Sequence, residues 1–279
     1  MITAPEALPA VHRVAETVIN ETHATWVDGV AVAIFLIIWR VYPYAMRALS
    51  RRFGSINLDM AHIRATWMRG MSRRPEARLL DANLIGHTLS TASFFASTNL
   101  ILLAAVGGAL FGGERAYRSI EDVPIMSHAP HLFFMAKLGL ILVCLAGGLM
   151  DFIWSIRQLN YSLALTGAAP YQGDLDQLDA FAGAASQIFE GALNSFNSGV
   201  RGYYFAAVAG VWLVGPIAFA VASLSVAALL IWRQLASPAA KGIQEARRLL
   251  DHMEHASVPP YAETPVGSGH TTPVPPMPQ

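Results

Sequence analysis

The sequence predicts an all-α, polytopic membrane protein: a bundle of four transmembrane helices with interfacial amphipathic helices. Three observations carry that class. Between Arg201 and Arg233 lie thirty-one residues without a charge, where a helix needs about 20 apolar residues to cross a bilayer core. Three further apolar runs of spanning length precede it. Hydrophobic residues make up 54% of the chain and charged residues 14%, against roughly 25% charged in an average soluble protein. The net charge is zero, so the chain as a whole gives no reason to expect nucleic acid as a partner. The single Cys144 lies in an apolar run and excludes an internal disulfide.

The N-terminus has no basic region followed by an apolar core, so insertion is expected through the internal helices. Residues 1–24 carry a weak helical stripe through Leu8, Val11, Ala15, Val18 and Ile19. That stripe is too short and polar to span and predicts a helix at the membrane surface. The first span is expected over 26–46, with Trp26 at one end and Trp39, Tyr42 and Tyr44 towards the other, as in an interfacial aromatic belt. A basic connection, 47–86, follows with eight arginines. Met60, Ile63, Trp67 and Met71 recur within it at helical spacing and predict an amphipathic helix within 57–72.

The second span, 87–112, opens with six hydroxyl side chains in eleven residues and ends in Gly108-x-x-x-Gly112, a pattern for close helix packing. A mixed-charge loop leads to the third span, 131–154, with helix continuing to Gly167 and Pro170 as a stop. Residues 174–200 form a second amphipathic helix, this one acidic. The fourth span, 203–232, is expected to bend at Gly215-Pro216. A polar helix over 237–257 and a disordered tail over 258–279, with seven prolines in 22 residues, complete the chain.

Four spans place both termini on one side of a bacterial inner membrane, and the arginine-rich connection assigns that side as the outside. Arg233, Lys241, Arg247 and Arg248 then fall opposite the basic connection, against the same rule. The acidic 174–200 helix and the basic connection share a side in this scheme and are expected to pack together.

Asn57, Arg64-x-x-Trp67-Met68, the run Ser93–Thr98 and Lys137 form the first part of a wider pattern. It continues through Trp154-Ser155-x-Arg157-x-x-Asn160-Tyr161, Gly167-Ala168-Ala169-Pro170 and Phe196-Asn197-x-Gly199-x-Arg201-x-Tyr203-Tyr204-Phe205, and ends with Trp212 and Pro216. In these residues, and over roughly 10–237, the chain resembles the bacterial and plant membrane proteins grouped as domain of unknown function 599. Asn99 departs from the pattern, which implies Thr or a similar residue there. The resemblance implies fold and topology, and no catalytic residue comes with it.

Candidate sites follow from charge and polarity at membrane depth. The topology puts Asp28 and Lys137 on the same, outer side of the membrane, and a buried ammonium needs a partner. They form an ion pair, or Lys137 takes an anionic ligand; the plainer reading is a snorkelling lysine and a solvated carboxylate. Arg201, with Asn197, Tyr203 and Tyr204, suits a lipid phosphate or serves as an interfacial anchor. Asp151, Arg157, Arg201 and Arg40 are expected to cluster, with Asp151 as counter-ion. Ser93, Ser97, Thr98 and Asn99 either line a polar path or hydrogen-bond between helices, and the second reading is favoured. The histidines show no paired-ligand spacing, and no metal or cofactor is expected. Phosphate-binding glycine loops, zinc-protease helices and nucleophile elbows are absent from the sequence.

These readings converge on a non-enzymatic integral membrane protein. It binds lipid or a small anion, or serves as a subunit of a larger membrane complex, with membrane lipids, a second copy or other membrane subunits as partners. A small oligomeric transporter or channel is one alternative. A membrane enzyme acting on lipid or quinone is another.

Overall fold

The computed structural model describes residues 26–112 and 131–256. The expected N-terminal surface helix, the loop before the third span, the proline-rich tail and the histidines His23 and His128 lie outside these residues.

Among the described residues the regular structure is all helix. Helix α1 spans Trp26–Phe53. Gly54, at φ 73°, then adopts a left-handed conformation that costs a glycine little. It turns the chain into α2, Ile56–Arg73, whose start is capped by the Ser55 hydroxyl accepting from the Leu58 N–H at 3.3 Å. A short 3₁₀ turn, Pro75–Ala77, leads into α3, Arg78–Phe111. Helix α4 spans His131–Ala168, and Pro170 follows its end. Helix α5 spans Leu175–Val211, α6 spans Pro216–Leu235 and α7 spans Pro238–Ala256. Among the described residues, four stretches are long and apolar enough to cross a membrane: Trp26–Arg52, Pro75–Phe111, His131–Ala168 and Pro216–Met253.

Helices α3, α4 and α5 run antiparallel in sequence order. Phe95 stacks on Phe152 with ring centroids 5.9 Å apart, and the Asn99 amide donates to the Leu145 carbonyl at 3.0 Å. The α4–α5 contact is a close one. A Cβ on Gly202 would stand 3.0 Å from the Gly148 Cα, and one on Gly199 would stand 2.8 Å from the Phe152 ring. Small residues let two backbones approach this closely. The close-packing role expected of Gly108 belongs here instead, because a Cβ on Gly108 would meet nothing within 4 Å.

The expected single span over 203–232 is divided. Its first part, to Val211, is the apolar end of α5, and the amphipathic helix expected over 174–200 is the beginning of that same helix. The chain reverses through 212–215, and Pro216 opens α6 at a position where its missing N–H costs nothing. Helix α6 then runs beside α1 in the same direction. Trp212 meets Asp28, Phe219 meets Phe35 at 5.1 Å, and Leu230 and Gln234 share a cavity with Tyr42 and Met46. The sequence read this segment as a bend because an apolar run with Gly-Pro at its middle has the same composition in both cases.

The reversal has a consequence for the C-terminal helix. Arg247 bonds Asp59 at 2.7 Å and His62 meets Asp251 at 2.7 Å, so α7 packs on α2. The expectation that Arg247 and its neighbours lie across the membrane from the arginine-rich connection is therefore overturned. The expected pairing of acidic helix and basic connection is present: Arg64 bonds Glu190 at 2.6 Å and Arg73 bonds Asp179 at 2.7 Å.

Among the described residues, two buried clusters fill the bundle. One, around Phe35, Phe205, Trp212 and Phe219, joins α1, α4, α5 and α6. The other, around Met68, Met71, Ile85, Leu159 and Phe189, lies at the arginine-rich end between α2, α3, α4 and α5.

Candidate functional site

The arginine-rich end holds a cavity of about 750 Å³ between the last turns of α1, the first turns of α2, the middle of α5 and the end of α6. Four arginines line it: Arg47, Arg51, Arg201 and Arg233. They come from three helices. Arg47 and Arg51 stand one turn apart on α1, the i,i+4 spacing that puts two side chains on one face. Arg201 is half-buried with its guanidinium 6.0 Å from the centroid of the Tyr42 ring. Asp151 is near enough for its charge to act on Arg201. Arg233 donates to the Tyr204 hydroxyl at 2.8 Å, which leaves that hydroxyl's own proton available to a ligand.

One acidic side chain, Glu190, lines the cavity. Its Oε2 accepts from Arg64 Nε at 2.8 Å and from Arg64 Nη2 at 2.6 Å. Its charge is thus compensated from outside the cavity, and the lining keeps a surplus of positive charge. Asn57, Asn194 and Asn197 add neutral donors and acceptors, while Pro43, Met46, Ile56, Val200 and Leu230 supply apolar wall. Arginine forks match phosphate and carboxylate oxygens in pairs, and here they stand beside apolar wall.

Of the residues expected around Arg201, Asn197 and Tyr204 line this cavity and Tyr203 does not. Tyr203 turns the other way, donates to the Phe95 carbonyl at 2.7 Å and packs against Phe95 and Phe152. Adjacent helical residues point about 100° apart, so two consecutive tyrosines cannot serve one site equally. The expected four-residue charge cluster is also split. Arg40 donates to Tyr44 at 3.0 Å and exposed Arg157 donates to Tyr161 at 3.2 Å. Asp151 and Arg201 remain together.

Asp28 and Lys137 meet at the opposite end of the bundle. Lys137 is 2% exposed and Asp28 is 6% exposed. The ammonium lies 4.9 Å from the Phe133 ring and 5.7 Å from the Trp212 ring, within cation–π range. Trp212 in turn donates its indole N–H to Asp28 at 2.9 Å, and the Asp28 charge acts on Lys137. This arrangement closes the lysine inside the protein.

The polar second span separates into three kinds of residue. Thr98 donates to the Phe94 carbonyl of its own helix at 2.9 Å. Asn99 is buried and bridges to α4. Ser93 is half-buried and Ser97 exposed. These positions face different directions and do not line one continuous path. Among the described residues, no three His, Cys, Asp or Glu side chains gather as metal ligands.

Sequence reasoning missed Arg47, Arg51 and Arg233 as site residues. The first two were visible as an i,i+4 pair, but Arg233 joins them only through the reversal at Gly215-Pro216. The tetrapeptide Gly167–Pro170 has a structural use: the Pro170 carbonyl accepts from Arg78, whose guanidinium lies 4.1 Å from the Tyr171 ring.

No curated protein and no solved structure matches this chain. The family described as "Protein of unknown function, DUF599" matches residues 30–239, and the chain belongs to that family.

Proposed function

We propose that this integral membrane protein binds an anionic lipid, holding its phosphate-bearing head group among Arg47, Arg51, Arg201 and Arg233. The observation that carries the reading is the convergence of four arginines from three helices on one cavity whose single acid is paired elsewhere. The cavity lies where the ends of the apolar helices α1 and α6 meet the charged helix α2, which supports a ligand whose phosphate sits at the membrane surface. Each charge-assisted arginine contact contributes about 1.5–3 kcal/mol, so loss of Arg201 is expected to weaken binding by about tenfold or more.

Native mass spectrometry of the protein in mild detergent tests this. The wild type retains a defined anionic-lipid adduct, Arg201→Ala loses it, and Arg157→Ala, outside the cavity, keeps it. Equal adducts on all three proteins would refute the site.

The arginine end is the cytoplasmic side in this reading. The basic connection and Arg233, Lys241, Arg247 and Arg248 lie together there, and cytoplasmic segments of membrane proteins are rich in Lys and Arg. The membrane is proposed to be the bacterial inner membrane. Asp28 and Lys137 then form an internal lock at the outer end rather than a second ligand site.

A second copy of the chain is the partner proposed for the outward face of α3. Asn83, His87, Ser90, Phe94, Ser97, Ile101, Ala104 and Gly108 are all exposed there, at the alternating three- and four-residue spacing of a helix seam. Lipid tails offer no hydrogen bonds to the polar groups, whereas an identical helix presents matching donors, acceptors and small residues beside Phe94 and Ile101. Cysteine cross-linking at Ser90 and Ser97 in membranes is expected to give dimers, while positions on the opposite face of α3 give none.

A further inference from the structure

The four arginines are divided into two pairs on different walls. Arg47 and Arg51 belong to α1, whereas Arg201 and Arg233 come from α5 and α6 beside Tyr204. A phosphodiester carries one negative charge, and a phosphomonoester carries about −1.5 to −2 at pH 7. One phosphodiester would satisfy one pair and leave the other with a surplus of positive charge, because Glu190 is already engaged by Arg64 and Asp151 acts on Arg201 from outside the lining. The cavity, at about 750 Å³, has room for more than one phosphate.

Resting on the head-group reading above, we infer that the cavity selects a diphosphate: one phosphate on the Arg47–Arg51 pair, the other on Arg201, Arg233 and the Tyr204 hydroxyl. The apolar wall beside the second pair suits a ligand whose diphosphate ends a hydrocarbon chain. A diphosphate in water shares the same chemistry, so the probes below separate the two sources.

The test is binding to the full-length protein in detergent of farnesyl diphosphate, farnesyl monophosphate, inorganic diphosphate and phosphatidylglycerol. Wild type, Arg47→Ala/Arg51→Ala and Arg47→Lys/Arg51→Lys are compared, with folding checked by helicity and elution volume. One additional bidentate contact predicts that wild type binds the farnesyl diphosphate at least about tenfold tighter than the monophosphate. The double alanine variant loses that preference, its affinity falling further for the diphosphate than for the monophosphate; the double lysine variant recovers part of the preference. Inorganic diphosphate binding as tightly as the farnesyl ester would support the two-phosphate site and assign its ligand to water. Weaker binding would support it with a membrane-borne ligand.

Equal wild-type affinity for the two farnesyl esters would overturn the inference and leave the head-group reading standing. An equal loss of both esters in the double alanine variant would do the same. Failure of every probe, phosphatidylglycerol included, would overturn the head-group reading as well.

Discussion

The Trp212 indole N–H donates to the Asp28 carboxylate at 2.9 Å, joining the reversal after α5 to the first turn of α1. This bond fixes where the chain turns back. It also places Trp212 over the Lys137 ammonium on one side and 5.3 Å from the Phe219 ring on the other. One residue therefore holds the reversal, the buried lysine and the start of α6 in register.

Replacing Trp212 by Phe keeps most of the ring contacts and removes the donor. Leaving a buried acceptor without its partner costs about 1–3 kcal/mol. Thermal unfolding in detergent is expected to fall for Trp212→Phe, and adding Asp28→Asn should cost less than it does in the wild type. Additive losses in the double variant would show that the two side chains do not act together.

The α4–α5 contact depends on the absence of side chains at Gly148, Gly199 and Gly202. An added methyl at Gly202 meets backbone at 3.0 Å rather than a flexible side chain, and forced repacking of this kind costs about 1–3 kcal/mol. Gly202→Ala is expected to lower the unfolding temperature. Gly108→Ala, in open space, should leave it unchanged or raise it slightly, since Ala is the better helix former. The reverse order of these two variants would contradict the packing described.

The position of α7 makes a topological prediction. Single cysteines at Glu76 and Arg248, both exposed, should react with an impermeant maleimide from the same face of the membrane. A cysteine at Trp26 should react from the other, all in a Cys144→Ala background. Labelling of position 248 together with position 26 would mean that α6 does not return towards the arginine end.

Much of this architecture is legible in the sequence. Hydropathy marks the apolar runs because lipid imposes length and composition on any helix that crosses it. The attraction between the basic connection and the acidic helix is legible from charge alone, and appears as Arg64–Glu190 and Arg73–Asp179. The direction of the last helix is not legible. A bend and a reversal at Gly215-Pro216 use the same residues, and the choice rests on distant contacts, Asp28 with Trp212 and Phe35 with Phe219. The site shares that dependence. Arg201 and Asn197 stand out locally, but Arg233 reaches them only once α6 has turned back, and the outward rotation of Tyr204 away from Tyr203 follows from helix phase.

The central claim, that the arginine cavity holds lipid phosphate, is tested most directly by counting phosphorus. The wild-type protein and an Arg201→Ala/Arg233→Ala variant are delipidated exhaustively and assayed for phosphorus per chain. The account predicts that the wild type keeps a stoichiometric amount and that the variant keeps none while remaining folded. Equal phosphorus in both would contradict it.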